Sequence, residues 1–346
     1  MNFSRSLVIG PGGRREVAEF TVPEVEKDGL ILEVELARIT ERDRKLFLRH
    51  DLSATLIPGS IAIGRVKAIG DEAAAFYGVN AGDRVVVEPF TSCYNCKPCP
   101  TARRRICERR RWYGQDFAAD EPPGLGGTWG QYLYVRAGSR IHKVPDEWEA
   151  QIALLMPEGL LAYGALFDAG EGSVGKGVLI DAPTILGLLA AALAREGGLD
   201  PITVAGCFTE KTRRLAMAMG AHQVLGGEEE ILSLDRWKRP DIFLATSSNS
   251  SVFNTGIMAL APGGVAVSVD CVNRLSETAF RYAQEHEICL KSITGPAWET
   301  NGVRLLLERA RYPLAALIEQ TFTLDDLVRE PELVEAEYAA VNPRLL

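Results

Sequence analysis

The sequence has no excess of positive charge and few histidines. It contains 38 Lys and Arg residues against 46 Asp and Glu residues, a net charge of -8, and only four histidines in 346 residues. Surfaces that bind nucleic acid usually carry a basic excess, so the composition argues against a nucleic-acid partner. The histidines (His50, His142, His222 and His286) match no metal-ligand spacing, and we expect each of them to be structural.

Long apolar stretches are also missing. The N-terminal residues MNFSRSLVIG contain no extended apolar core of the kind that a secretion signal requires. No uninterrupted apolar run approaches the length of about 18 residues that a membrane-spanning helix needs. These features predict a cytoplasmic protein that has no membrane partner.

Two regions differ in the pattern of their apolar residues. Residues 1–150 contain short β-branched runs between Gly, Pro and Asp turns, such as GLILEVELARI and DRVVVEPF, which indicates a β-rich, barrel-like domain. From about residue 151, strand-like and helical segments alternate, as in GVLIDA followed by ILGLLAAALAREGG. This alternation is typical of βαβ units, so we predict an α/β chain with a parallel, doubly wound sheet.

Four of the seven cysteines lie in one short segment, SCYNCKPCPTARRRIC. Cys93, Cys96, Cys99 and Cys107 have the spacing C-x2-C-x2-C-x7-C, and without a secretion signal this clustering suggests metal rather than disulfides. Four thiolates suit a structural zinc ion, which prefers a closed tetrahedral site. Lys97 and the run Arg103–Arg105 are expected to offset the negative charge. An iron–sulfur cluster is the alternative.

The order of these segments resembles the medium-chain dehydrogenase/reductase superfamily of the zinc alcohol dehydrogenase type, over nearly the whole chain. GDRVVVEP followed by the four-cysteine segment is the most specific mark, and GTWGQYLYV, APGGVAVSV and TFTLDDL are similar to further landmarks. The resemblance implies a GroES-like catalytic domain, residues 1–150 and 297–346, with a zinc lobe at about 90–113. It also implies a Rossmann domain, residues 151–296, NAD(P)-linked chemistry on a small molecule, and a homodimer or homotetramer.

The positions that bind a catalytic zinc in this family carry other residues here. Thr40 stands at the Cys position and Ser60 at the His position, with Ile61 in place of the acid that follows. The third position is Met156, or Glu158 if the alignment shifts by two residues. Neutral hydroxyls do not hold zinc against water, so we predict no catalytic zinc.

The glycine motif that receives a dinucleotide is altered. The G-x-G-x-x-G turn reads Ala182-Pro183-Thr184-Ile185-Leu186-Gly187, and only the third glycine is present. Thr184 places a β-branched side chain where the phosphate comes closest, although its hydroxyl can donate to a phosphate, and Asp181 adds a charge of the wrong sign near the helix N-terminus. We expect a weakened but retained site that comprises Ala182, Thr184, Ile185, Leu186, Gly187 and Thr246.

The residue at the end of the next strand favours NADP(H) over NAD(H). NAD-linked relatives carry an acid there for the ribose diol, whereas this chain has Gly206. Lys211, Arg213 and Arg214 follow and are candidates to bind a 2′-phosphate. The alternative is that these three residues are solvated charges of a surface helix.

Without a zinc ion, another group must polarise the carbonyl and supply a proton. We predict that Lys45 or Arg42 does so, with Thr40 and Ser60 as hydrogen-bonding residues; the alternative is that ERDRKLFLR is an exposed charged helix. The arginines of RRRICERRRWYGQD would steer an acidic substrate, or else form the lobe surface. The expected function is a zinc-independent oxidoreductase for a small polar or acidic substrate. A non-redox enzyme and an inactive binding protein remain alternatives.

Overall fold

The β-branched runs of the N-terminal region form the strands of a first compact unit, which comprises Met1–Pro157 and Ala315–Leu346. The computed structural model describes residues 3–207, 209–235, 239–309 and 311–345. The N-terminal part of this unit contains β1 (Phe3–Gly10), β2 (Arg14–Thr21), β3 (Leu30–Arg38), α1 (Glu41–Phe47), β4 (Ala62–Ile69), α2 (Asp71–Tyr77), β5 (Arg84–Val87), β6 (Phe90–Thr91), β7 (Arg111–Trp112), β8 (Tyr132–Val135), β9 (Ile141–Lys143) and α3 (Ala150–Leu154).

The alternating segments predicted after residue 151 form most of a second unit, Glu158–Leu314. The elements that follow α3 are α4 (Met156–Tyr163), β10 (Val178–Ile180), α5 (Ile185–Glu196), β11 (Ile202–Val204), α6 (Glu210–Ala218), β12 (Gln223–Val224), α7 (Glu228–Leu232), β13 (Ile242–Ala245), α8 (Ser250–Ala259), β14 (Val265–Val269), α9 (Glu277–Glu285), β15 (Cys289–Ile293) and α10 (Asn301–Glu308). The chain then returns to the first unit with β16 (Gln320–Phe322), α11 (Leu324–Arg329) and β17 (Ala339–Val341).

The first unit is built around a seven-stranded sheet. Its order is β16-β17-β3-β4-β5-β9, with β8 paired to β3, and neighbours are antiparallel except for β16 and β17. Every side chain of β5 is buried, as its apolar run predicts. Trp129 is completely buried beneath this sheet, and its indole N–H donates to the carbonyl of Arg38 (3.2 Å), which satisfies the one polar atom of the ring.

The second unit contains a six-stranded parallel sheet in the order β12-β11-β10-β13-β14-β15. The central strand β10 is buried along its whole length, as expected for a parallel sheet whose two faces are covered by helices. The chain order reverses between β10 and β13, which are paired from Val178 with Ile242 to Ile180 with Leu244. In doubly wound sheets this reversal marks the crevice that receives a ligand.

The bounds of the two compact units differ from the predicted domain boundaries at two places. The first boundary lies after Pro157, and residues 297–314 belong to the second unit instead of the first. Val303 of α10 packs against Gly159, where an added Cβ would lie 2.7 Å from a methyl group. Glu196 at the end of α5 pairs with Arg311 (2.8 Å) and accepts a hydrogen bond from the hydroxyl of Tyr312 (3.0 Å). The helical pattern of residues 300–311 gave no information on which unit its apolar face contacts.

One helical stretch among the described residues, Ala150–Ala169, has the length and composition of a membrane span. It has 20 residues, a mean hydropathy of 1.4 in its most apolar window, and 67% of that window is buried within the protein. Core helices of globular proteins have the same properties. This single segment is therefore weak evidence for a membrane span.

A buried ion network attaches the cysteine lobe, residues 90–113, to the rest of the first unit. The lobe is closed by pairing of β6 with β7. The guanidinium of Arg104, a residue of the lobe, bonds to Glu88 just outside it (2.5 Å). Glu88 also contacts His142 (2.9 Å) and Arg140 (3.3 Å). Burial opposes ionisation of Glu88, but His142, Arg104 and Arg140 together hold its pKa below the usual value. Arg104 also donates to the carbonyl of Gly138 (3.1 Å).

Replacement of Arg104 by alanine is expected to destabilise the first unit. The variant would leave Glu88 buried without its shortest ion pair, and broken buried pairs typically cost about 3 kcal/mol in the free energy of unfolding. The exposed neighbour Arg103 is the matched control, since Arg103→Ala should change this free energy by less than about 0.5 kcal/mol. Guanidinium denaturation followed by tryptophan fluorescence measures both. Equal midpoints for the two variants would show that the network does not stabilise the unit.

Candidate functional site

The four clustered cysteines come together as predicted. Their Sγ atoms all lie within 4.8 Å of one another, with separations of 3.5 Å for Cys96 and Cys99, 3.8 Å for Cys96 and Cys107, and 3.5 Å for Cys93 and Cys107. A tetrahedron with Zn–S distances of about 2.3 Å has sulfur–sulfur edges of about 3.8 Å. The cluster therefore has the size that a single tetrahedral metal ion requires.

The backbone of the lobe already supplies hydrogen bonds to these sulfurs. The amides of Cys93 and Arg109 each donate to the sulfur of Cys107 (3.3 Å). The backbone amide of Asn95 is the main cause that lowers the pKa of Cys93 to about 6, whereas burial raises the pKa of Cys99 to about 12. A bound cation would compensate the burial of these thiolates, which is the usual source of affinity in such sites.

Fewer arginines of the lobe can bind an acidic substrate or face the cysteine sulfurs than the sequence suggested. Arg104 bonds to Glu88 instead of facing the sulfurs, which corrects its predicted role. Arg111 binds both carboxylate oxygens of Glu121 (2.7 and 2.6 Å), and Arg110 donates to a carbonyl of the lobe. Arg103 and Arg109 are exposed. Fewer than the six predicted arginines can thus form a basic rim for an acidic substrate.

Thr40, at the position of the family's zinc-binding cysteine, is the N-cap of α1. Its hydroxyl donates to a carboxylate oxygen of Asp43 (2.7 Å), and the amide of Asp43 donates back to the hydroxyl (3.2 Å). Asp43 is buried, and this burial raises its pKa to about 6. Asp43 was not predicted as a functional residue, although the spacing T-x-x-D before an apolar run is a helix-start signal.

The second position predicted for a catalytic zinc, Ser60, is also neutral, and the third is Met156 or, in the shifted alignment, Glu158. Ser60 and Met156 are both buried, and no hydrogen bond joins Ser60 to Thr40 within the described residues. The buried hydroxyl of Thr128 lies against Gly59 and has no hydrogen-bond partner among the described residues. Two neutral hydroxyls with either the thioether of Met156 or the single carboxylate of Glu158 are a poor donor set for Zn²⁺. These residues do not fit a catalytic zinc.

The two cations predicted to replace the metal occupy different environments. The side chain of Lys45 is half exposed and pairs with Glu41 one helical turn away (3.2 Å), so the burial on which its predicted role depends is absent. Arg42 is partly buried, and its guanidinium lies over the ring of Trp112 (3.9 Å to the ring centre). The exposed-helix interpretation thus applies to Lys45 and not to Arg42.

The altered nucleotide loop is held by its own side chains. Thr184 is the N-cap of α5; its hydroxyl accepts a hydrogen bond from the amide of Gly187 (3.0 Å) and donates to the hydroxyl of Thr246 (3.1 Å). Gly187 has the packing role expected of the third glycine, since an added Cβ would lie 2.3 Å from the carbonyl of Ala182. The fold thus brings these four predicted cofactor residues together.

Asp181, which we expected near the N-terminus of α5, is linked to the N-cap Thr184 through the hydroxyl of Thr246. It is buried, and its carboxylate accepts hydrogen bonds from the amide and hydroxyl of Thr246 (2.7 and 2.9 Å) and of Ser247 (3.2 and 2.8 Å). Burial raises the pKa of Asp181 despite these four bonds. The carboxylate fixes the residues after β13 to the residue after β10.

The residues predicted to select the nucleotide lie after β11. Gly206 has the left-handed φ of 71°, and an added Cβ would lie 3.1 Å from the carbonyl of Asp181. A side chain with a carboxylate is therefore disfavoured there. On α6, Lys211 is exposed, and the exposed Arg214 bonds to Glu210 (2.6 Å). The pair with Glu210 competes with the predicted 2′-phosphate for the same guanidinium.

Comparison of the sequence with known families and proteins gives consistent matches. The model of the alcohol dehydrogenase GroES-like domain matches residues 26–146. The probable alcohol dehydrogenase adh of Mycobacterium tuberculosis (strain ATCC 25618 / H37Rv) is 31% identical over 220 residues, which cover 62% of this chain and 59% of that protein. The L-threonine 3-dehydrogenase of Anaeromyxobacter sp. (strain K) is 25% identical over 318 residues, 88% of this chain and 87% of that enzyme.

Solved structures match the fold over nearly the full chain. An alcohol dehydrogenase from Thermotoga maritima superposes with a TM-score of 0.83 at 20% identity, covering 99% of this chain and 100% of the other. A Sinorhizobium meliloti 1021 protein, named a zinc-binding dehydrogenase and bound to NADP, gives a TM-score of 0.84 at 17% identity with the same coverage. At these identities the likeness establishes the fold alone. Residues 26–146 of this chain thus match the GroES-like domain of alcohol dehydrogenases, and the chain shares the fold of the solved dehydrogenases over nearly its full length.

Proposed function

We propose that this chain is an NAD(P)(H)-linked oxidoreductase that acts on a small polar or acidic alcohol or carbonyl without a catalytic zinc. The sheet of the second unit carries the proposal, because its order reverses between β10 and β13 and α5 begins just beyond this reversal. The relatives named above are dehydrogenases.

The nucleotide, when bound, would supply or accept the hydride. The loop and helix residues Ala182, Thr184, Ile185, Leu186 and Gly187 would hold it, with Gly206 and Thr246 at the neighbouring strand ends. NADP(H) is favoured because Gly206 offers no acid for the ribose diol and because Lys211 and Arg214 lie on the first two turns of α6. The proposed preference for NADP(H) thus depends on the segment from Gly206 to Arg214.

Titration should show tighter binding of NADPH than of NADH, followed by reduction of small carbonyl compounds. Arg214→Gln should reduce the preference for NADPH several-fold, because one charge near the 2′-phosphate is lost. Arg281 forms the same type of i,i+4 pair, with Glu277 on α9, so Arg281→Gln is the matched control and should keep the wild-type ratio.

Isothermal titration calorimetry and nicotinamide fluorescence measure both affinities. The absence of binding of either nucleotide at millimolar concentration would reject the redox function. It would favour the alternative in which the scaffold serves a non-redox or purely binding role.

On the substrate side, the pair formed by Thr40 and Asp43 would carry the proton in place of a metal-linked relay. A hydroxyl has one proton and two acceptor positions, so Thr40 can accept a bond from the substrate hydroxyl while it donates to Asp43. In alcohol oxidation the substrate proton passes to Thr40 as the proton of Thr40 passes to Asp43; reduction reverses these transfers. Arg42 and Ser60 remain proposed as polarising and hydrogen-bonding groups, whereas exposed Lys45 is not retained.

Asp43→Asn should lower turnover at least about 100-fold and remove a pH dependence. In the wild type, alcohol oxidation should increase as the pH rises through about 6, because only the ionised carboxylate accepts a proton. Glu41→Gln, an exposed acid on the same helix, should keep the wild-type rate and profile. An identical pH–rate profile in the Asn variant would exclude Asp43 from the proton path.

The free energy of unfolding should depend on the same pKa. It should decrease as the pH rises, whereas the rate of alcohol oxidation should increase. The folded pKa of Asp43 is raised to about 6 from 3.8, so its contribution is greatest below about pH 4 and is lost as the pH rises to about 6. Two pKa units correspond to about 3 kcal/mol in the free energy of unfolding. Denaturation curves between pH 4 and 7 should show this decrease for the wild type relative to Asp43→Asn.

We also propose one structural zinc per chain, bound by Cys93, Cys96, Cys99 and Cys107. Elemental analysis should give one zinc per chain, and Cys93→Ser should lose the metal and lower the melting temperature. Cys289→Ser, which changes an exposed thiol outside the cluster, should retain it. Two zinc ions per chain would contradict the absence of a catalytic zinc, and iron in place of zinc would identify the cluster alternative.

The remaining properties that we propose follow from composition and family. We propose a cytoplasmic enzyme that forms a homodimer or homotetramer and has a small-molecule substrate. Nucleic acid and membrane are not proposed as partners. The net charge of -8 argues against a nucleic-acid surface.

A further inference from the structure

A chain of hydrogen bonds spans the strand-order reversal of the second unit. Asp181 follows β10 and Thr246 follows β13, and these two strands are direct neighbours in the parallel sheet. The hydroxyl of Thr184 donates to Thr246, which donates to Asp181. Since the carboxyl ends of the strands at the reversal flank the ligand crevice, this chain links its two sides.

The same chain occupies a helix end that receives anions in this fold class. An N-cap side chain and a bound phosphate both satisfy amides of the first helical turn, so they compete for the same place. Here the hydroxyl of Thr184 accepts from the amide of Gly187 (3.0 Å), and its own proton is directed to Thr246 (3.1 Å). Thr184 therefore has no proton left to donate to a phosphate unless the bond to Thr246 breaks.

The anchor of the chain carries a charge of the same sign as the expected ligand. The four donors to Asp181 are the backbone amides and hydroxyls of Thr246 and Ser247, and all four are neutral. They orient the carboxylate without cancelling its charge. Two hydrogen bonds separate it from the N-cap of α5, and a pyrophosphate that approaches this helix end meets its Coulomb repulsion.

We propose that Thr184 and Asp181 set the nucleotide affinity of this chain: the hydroxyl of Thr184 takes the place of a pyrophosphate oxygen at α5, and a dinucleotide binds by displacing it. The proposal rests on the nucleotide-linked function above and names the residues that limit its affinity. The replacement of two glycines then changes which group occupies the phosphate position, in addition to changing the backbone of the loop. The nucleotide should consequently exchange readily instead of remaining bound through purification.

Calorimetric titration of NADPH and NADH into the full chain and four variants tests this proposal. Thr184→Gly removes the cap and restores space for phosphate, so NADPH should bind at least about tenfold more tightly than to the wild type. Thr184→Ser keeps the hydroxyl and should match the wild type. Asp181→Asn removes the charge at nearly constant volume and should also increase affinity, with less than additive gain when combined with Thr184→Gly, since both act through one network.

A second threonine cap provides the control for helix destabilisation. Thr323 caps α11 of the first unit in the same way, and Thr323→Gly should leave nucleotide affinity unchanged. Circular dichroism and melting temperature confirm that each variant is folded. If Thr184→Gly and the wild type bind NADPH equally well, the proposal is overturned while the redox function stands. If neither nucleotide binds to the wild type, Thr184→Gly or Asp181→Asn, both are overturned.

Discussion

A carboxylate can be buried in a protein only if hydrogen-bond donors replace its water, and three buried acids of this chain determine how its parts are held. Glu88 is surrounded by two arginines and a histidine, and its pKa is lowered. Asp43 has Thr40 as its nearest partner, and its pKa rises to about 6. Asp181 has only neutral donors among its hydrogen-bond partners, and its pKa is also raised. Charged partners thus lower the pKa of Glu88, whereas burial raises the pKa of Asp43 and of Asp181, whose hydrogen-bond partners are neutral.

The same constraint orders two segments that the sequence analysis aligned with ligand-binding positions of the resembled family. Where relatives place a zinc-binding cysteine, Thr40 directs its hydroxyl to Asp43, which holds the start of α1 through a reciprocal cap. Where relatives place glycine at the phosphate, Thr184 satisfies an amide of α5. In both places a threonine that caps a helix stands at a ligand-binding position. Local hydrogen bonds of Thr40 and Thr184 thus satisfy the first turns of both helices.

The sequence predicted the fold class, the cysteine cluster and the strand, turn and helix from β10 to α5, because these depend on short patterns. Strand periodicity, the spacing of Cys93 to Cys107 and the start of α5 after an apolar run are all local signals. The orientation of a charged side chain is set by tertiary contacts, so the partner of Arg104 and the exposure of Lys45 could not be derived from the sequence. The assignment of residues 297–314 to a compact unit depends on tertiary contacts in the same way, since α10 packs on a distant segment.

The position of Arg104 in the sequence has a thermodynamic consequence. This residue lies between two of the metal-ligand candidates, Cys99 and Cys107, while its guanidinium bonds to Glu88 beyond the lobe. Metal binding and formation of the ion pair therefore order the same few residues, and the two equilibria are linked. By reciprocity, whatever metal occupancy adds to the strength of the ion pair, the ion pair adds equally to metal affinity. Metal binding in a lobe that performs no chemistry would in this way strengthen the contact between the lobe and the rest of the first unit.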